Sequence, residues 1–294
     1  MSRSTKTLFL YIGILLLLVS AAPACRPKLA ERILYDIPLA DGWFIMPSAE
    51  VQGSGAAVSA PGLDVSGWYP ASVPTTVLAA LRAKGEYADI FAGKNLETLP
   101  RDRFQGSWWY RREFDLPAAQ GVAATRLGFD GINYRADIWL NGRRVASKDE
   151  IYGAFRTFDV DIIGAVRPGP NVLAVEVFPP QPGELTIGFV DWNPRPPDQN
   201  MGLWRPVTLR FSGPVSIEQP FVTSRVNLET LAEADLTITA ETINRSDQPV
   251  SGSLWAELEG TLLSQEVKLD PGEKKAVVFS PQQFPELKLQ EPRL

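Results

Sequence analysis

The chain has 294 residues, is 45% hydrophobic and 21% charged, and carries a net charge of −5, so it can bury a core for one large or two modest domains. It contains no His and a single Cys, which excludes Ser-His-Asp and Cys-His triads, His-ligated zinc, an intrachain disulfide and any Cys-rich metal site. No Lys/Arg run interrupts the mild acidity, which argues against a nucleic-acid partner.

The N-terminus, "MSRSTKTLFLYIGILLLLVSAAPAC", places Arg3 and Lys6 before an apolar run from Leu8 to Val19 and then small residues. That is the order of a secretory signal peptide, and its core is short for a membrane span. The only Cys, Cys25, follows "SAAPA" directly. The stretch resembles a bacterial lipoprotein signal, which implies lipidation at Cys25, a membrane anchor through that lipid, and a periplasmic or outer-membrane location. Ala22 and Pro23 depart from the usual pattern, and ordinary cleavage after Ala24 with secretion is the alternative.

From Ile33 onward, short alternating strands with Gly/Pro punctuation predict an all-β protein. "LYDIPLADGWFIMP" reads as a first strand with a turn at Asp41-Gly42. "PTTVLAALRAKGEY" is the one persuasive helix: Pro74 to Thr76 bound it, Val77, Leu78 and Leu81 form its apolar face, and Gly85 stops it. In "ADIWLNGRRVA", Asn141-Gly142 is the preferred pair for a two-residue type I′ hairpin turn, because both positions need positive φ. "NVLAVEVFP" puts Leu173, Val175 and Val177 on one strand face, and "LWRPVTLRFSG" closes the run at Gly213-Pro214. A domain boundary is expected near Ser212 to Ile217, separating residues 26–215 from 216–294.

Past that boundary come four strand-like segments with turns at Arg245-Ser246-Asp247 and Asp270-Pro271-Gly272. Their spacing suits an immunoglobulin-like sandwich, but residues 217–294 number 78, short of the roughly 100 such a domain takes. The sandwich is therefore expected to be incomplete.

Six segments in this order carry a resemblance: "VPTTVLAALRAKGEYADIFAGKN", "WWYRREFDLP", "ADIWLNGRRVA", "FRTFDVDI", "PGPNVLAVEV" and "DWNPRPPDQNMGLWRPV", spanning residues 73–207. Together they resemble the N-terminal region of family 2 glycoside hydrolases, in the branch of β-mannosidases, exo-β-glucosaminidases and mannosylglycoprotein endo-β-mannosidases. The resemblance implies a galactose-binding-like jelly-roll sandwich followed by the immunoglobulin-like domain. In the family a (β/α)₈ barrel then carries two catalytic glutamates, one preceded by Asn, and hydrolysis retains configuration. This sequence has no Asn-Glu dipeptide and no length for a barrel of about 250 residues, so neither glutamate carries over. The 294 residues alone are expected not to hydrolyse glycosides. No catalytic residue, metal ligand or cofactor site is assigned.

The stretch "DWNPRPPDQNMGLWRPV" is crowded for a connecting loop. By residue type alone two readings are equal: Trp192 and Trp204 fill the sandwich edge while Asp198 and Asn200 cap turns, or the loop faces a ligand. The resemblance implies that residues 191–203 help wall the pocket holding a terminal sugar, a β-linked mannoside or glucosaminide. Asp191 and Trp192 would face the sugar, Asn193 would support them, and Trp204 and Arg205 would anchor the closing strand. Asp149 with Glu150, Glu257 with Glu259, and Asp159 with Asp161 are the other carboxylate pairs; they read as a solvated turn and two exposed strand faces. An alternative to the glycosidase reading is a non-catalytic carbohydrate-binding lipoprotein.

Overall fold

The computed structural model describes residues 12–15, 36–87, 89–116, 122–188, 192, 194–290 and 292. Cys25, Asp191 and Asn193 lie outside the described residues. The chain divides into two compact units, one formed by residues 34–120 and 125–211, the other mainly by residues 212–294.

The first unit holds a six-stranded sheet in the order Tyr69–Ala71, Trp43–Pro47, Trp108–Leu116, Gly169–Phe178, Arg135–Leu140, Arg143–Ala146. A four-stranded sheet runs Phe158–Asp161, Ala124–Phe129, Val207–Ser212, Ile37–Pro38. The expected first strand is therefore two, because the Asp41-Gly42 turn sends Ile37–Pro38 and Trp43–Pro47 to different sheets. Strand alternation builds the core. Ile45, Tyr110, Val175 and Ile138 are paired in register across four neighbouring strands and are all fully buried. Leu127, Phe129 and Leu209 of the second sheet belong to the same apolar cluster.

The opposite face of the large sheet is covered by a short helix, Gly55–Val58, in a Gly- and Ala-rich stretch where no helix was expected. Its glycine is there for closeness: a Cβ on Gly55 would sit 2.3 Å from the Trp139 indole. Beneath it Arg111, 2% exposed, donates from Nε to Val58 O at 3.0 Å and from a terminal nitrogen to Ala60 O at 3.1 Å. The expected helix forms as Val77–Ala83, with Thr76 as N-cap accepting from Ala79 N and Gly85 in the left-handed region behind it. The Asn141-Gly142 hairpin turn has φ of 52° and 86°, as a type I′ turn requires.

The second unit has one sheet of Val215–Val226, Glu233–Asn244 and Lys274–Phe279, with Lys288–Gln290 paired to the start of the middle strand. The other sheet pairs Val250–Leu258 with Thr261–Leu269 and, on its free edge, with the short strand Ile12–Leu15. Ile238, Leu254, Leu263, Val277 and Phe279 are its buried core. Glu257 and Glu259 do not share a strand face: the strand ends at Leu258, and Glu259 with Gly260 forms the hairpin turn at φ of 49° and 86°.

Candidate functional site: the loop after Phe178

The long strand Gly169–Phe178 releases the chain into residues 179–201, which return as the two-residue strand Gly202–Leu203 beside Thr75–Thr76. Trp192, between the two arms of this loop, is 82% exposed. Burial of an indole is among the largest apolar gains a side chain can make, and Trp192 forgoes it, as Phe91, Leu185 and Leu228 forgo theirs.

Around that exposed ring the arms are held tightly. On the outgoing arm Glu184 accepts from Gln181 N at 2.8 Å and forms an ion pair with Arg135, whose guanidinium also stacks on Tyr134 and Tyr152. Thr186 donates its hydroxyl to Asn133 Oδ1 at 2.7 Å. On the returning arm Gln199 and Asn200 take φ of 50° and 59°, and their carbonyls both accept from Asn133 Nδ2 at 2.9 Å.

Asp198 is the second fixed point. It is 1% exposed and accepts from Leu78 N at 2.8 Å, the open first turn of the Val77–Ala83 helix, and from Asn200 N at 3.0 Å. Burial raises its carboxyl above the usual value and outweighs those donors, which pull it down. Of the two readings open for it, turn cap or ligand-facing residue, its bond to Asn200 is the turn cap, and its bond to Leu78 spans 120 residues and ties the loop to the helix. Gly202 is the third. At φ +149° it passes so close to its neighbours that a Cβ would lie 2.5 Å from the Tyr110 hydroxyl and 2.6 Å from Thr75 O.

Trp204 stands apart from Trp192. It is half-buried, donates Nε1–H to Ala154 O at 2.9 Å, meets Phe155 edge-on and carries the Arg205 guanidinium 4.6 Å above its ring. Both residues anchor the approach to Val207–Ser212, as expected from the sequence.

The other carboxylates are engaged elsewhere. Glu150 accepts from the Ser147 amide and hydroxyl, which lowers its pKa. Asp159 is not simply solvated: it binds Arg210 at 2.8 Å, and Arg210 also binds Asp130 at 2.5 Å. Asp161 accepts from Ile163 N at 2.9 Å. Among the described residues no group of three or more His, Cys, Asp or Glu side chains is arranged to hold a metal ion. Sequence reading missed Asn133 altogether. In "GFDGINYRADI" it stands among three charged residues, Asp130, Arg135 and Asp137, so nothing local marks it out.

Comparison with known proteins bears on this unit. The model of the glycosyl hydrolase 2 galactose-binding domain-like family matches residues 50–184. An exo-β-D-glucosaminidase of Streptomyces avermitilis is 38% identical over 273 residues, covering 92% of this chain and 30% of that protein. The Amycolatopsis orientalis exo-β-D-glucosaminidase is 40% identical over 81% of this chain and 23% of its own length. A mannosylglycoprotein endo-β-mannosidase of Lilium longiflorum is 30% identical over 76% of the chain and 26% of that protein. The crystal structure of the Amycolatopsis orientalis exo-chitosanase CsxA superposes with a TM-score of 0.77 at 36% identity, over 88% of this chain and 29% of that one. The chain thus spans under a third of the length of these relatives and matches their N-terminal part. Residues 50–184 are thus the galactose-binding-like domain of the N-terminal region of glycoside hydrolase family 2.

Proposed function

We propose that this chain is the substrate-walling, non-catalytic N-terminal part of an exported family 2 glycosidase that hydrolyses β-glucosaminides or β-mannosides with retention. The observation that carries this reading is Trp192, 82% exposed on a loop whose arms are pinned by Asn133, Asp198 and Gly202. A flat indole held in water suits the apolar face of a sugar ring, and an aspartate beside it, Asp191, can accept from two adjacent hydroxyls. Asn193 supports the pair, and the prolines at 194, 196 and 197 lower the entropy lost in holding the loop in one shape. The glucosaminidase and mannosidase relatives support the substrate class. In this reading the acid/base and nucleophile carboxylates are supplied outside these 294 residues, and the N-terminal signal exports the protein with Cys25 lipidated.

A chimera tests it: residues 36–294 replace the matching segment of the Amycolatopsis orientalis exo-β-D-glucosaminidase. A chromogenic β-glucosaminide should be hydrolysed, and Trp192→Ala in the chimera should lower kcat/KM by roughly 10- to 100-fold, the loss of about 1–3 kcal/mol of binding in the transition state. An active chimera indifferent to Trp192→Ala contradicts the sugar-wall role. Micromolar binding of glucosamine by the 294-residue chain alone would instead favour a free-standing carbohydrate-binding lipoprotein.

A further inference from the structure

Asn133 is fully buried, and every hydrogen bond it makes with its side chain ends on the loop after Phe178. Its Nδ2 serves the carbonyls of Gln199 and Asn200 on the returning arm, while its Oδ1 takes the Thr186 hydroxyl on the outgoing arm. Its backbone exchanges a pair of bonds with Gly202, at 2.9 and 2.8 Å, where the loop ends. One residue is thus the shared partner of both arms.

The chemistry demands an asparagine. Two converging carbonyls need two donors, and the Thr186 hydroxyl needs an acceptor; a planar amide of this length supplies both from one side chain. An aspartate offers acceptors only and would set a charge against two carbonyl oxygens. An aliphatic residue would leave three half-buried polar groups without this partner. Gln199 and Asn200 both sit in the left-handed region, which turns their carbonyls in succession toward the same amide.

We propose that Asn133 is a positioning residue for the substrate wall: by fixing the separation of the two arms, it sets where Trp192 stands. This rests on the reading of that loop as sugar-facing, but the arm-clamping part stands on geometry alone. Asn133 touches no substrate; it acts through the loop.

The test uses the full chain labelled with 5-fluorotryptophan, the ¹⁹F line of Trp192 being assigned by its loss in Trp192→Phe. Asn133→Asp keeps shape and removes both donors. It should shift or broaden the Trp192 line alone among the tryptophans and speed proteolysis within residues 187–198 about 30-fold, the effect expected for the loss of two hydrogen bonds of about 1 kcal/mol each. Far-UV circular dichroism should be unchanged. A general loss of packing would move the buried Trp43 and Trp108 lines as well, so the selectivity of the change separates positioning from mere support. D-Glucosamine is then titrated against the Trp192 line. If it moves the wild-type line, Asn133→Asp should weaken that response at least tenfold. If it leaves the wild-type line in place, the sugar reading fails while the line position and cleavage rate still judge Asn133. A folded Asn133→Asp chain with the wild-type Trp192 line and cleavage rate overturns the proposal. Should Asn133→Asp fail to fold, Thr186→Val releases only the outgoing arm and decides on the same two readouts: both changed supports the clamp, both unchanged overturns it.

Discussion

Gly202 is the position where the fold leaves least room, and Gly202→Ala converts that into a number. The new methyl would stand 2.5 Å from the Tyr110 hydroxyl, 2.6 Å from Thr75 O and 2.8 Å from the Thr76 Cα. Two of those three atoms are backbone of the neighbouring strand, so no side-chain rotation relieves the contact. Forcing a side chain onto a backbone at φ +149° costs about 1–3 kcal/mol, and overpacking a full site a further 1–3 kcal/mol or so. The lower entropy of an unfolded alanine returns roughly 0.4–1 kcal/mol. The net loss is about 1–5.5 kcal/mol, a large share of the roughly 5–15 kcal/mol available to a domain. With a urea slope near 2 kcal/mol per molar, the midpoint of the first unit should fall by about 0.5–2.8 M. The assay is urea unfolding followed by tryptophan fluorescence, with the two units fitted as separate transitions. A midpoint within 0.3 M or so of wild type refutes the claim that this close approach fixes the loop's return, since that shift is only about 0.6 kcal/mol.

Three further outcomes follow from the same geometry. Because burial raises the Asp198 carboxyl above its ordinary 3.8, the folded state holds that proton more tightly than the unfolded chain. Its contribution to stability is full below the unfolded value and is lost as pH rises through the higher folded one; the stability difference between wild type and Asp198→Asn, measured by urea unfolding, should therefore decline with rising pH across that window, and a difference that rises would contradict the assignment. Trp192→Ala should change unfolding free energy by no more than about 0.5 kcal/mol, as exposed positions do, whereas Trp204→Ala, losing the Ala154 bond and the Phe155 and Arg205 contacts, should cost about 1–3 kcal/mol in the same measurement. For the exported lipoprotein proposal, expression in a bacterial host with labelled palmitate should mark the wild-type chain in the membrane fraction and leave Cys25→Ser unlabelled; equal labelling of both would reject Cys25 as the anchor.

What could be read from the sequence was local. The Val77–Ala83 helix, with its cap and stop within ten residues, and the Asn141-Gly142 turn are each specified by neighbouring side chains, so their chemistry shows in a short window. The strand Val215–Val226 escaped because its register shifts between Glu218 and Phe221, with Gln219 at φ 48° and Pro220 next to it. Its second half is exposed, so no apolar alternation survives to be read. The Gly55–Val58 helix escaped for a different reason: it is one turn long and opens on a glycine kept for closeness to Trp139, where a Cβ would stand 2.3 Å from the indole. The sheet order and the loop anchors depend on partners far away in the chain. Nothing near Asp198 in the sequence announces its bond to Leu78, and nothing near Asn133 announces Thr186, Gln199 and Asn200, which converge on it. Exposure of Trp192 and half-burial of Trp204, two tryptophans twelve positions apart, likewise could not be separated by residue type.

The central proposition is that these residues shape a sugar site without supplying the carboxylates that cut. It is tested most directly by incubating the purified 294-residue chain, at high concentration and without any added protein, with p-nitrophenyl β-D-glucosaminide and p-nitrophenyl β-D-mannoside. Nitrophenol should be released no faster than in buffer. Sustained release that scales with the amount of chain would contradict it.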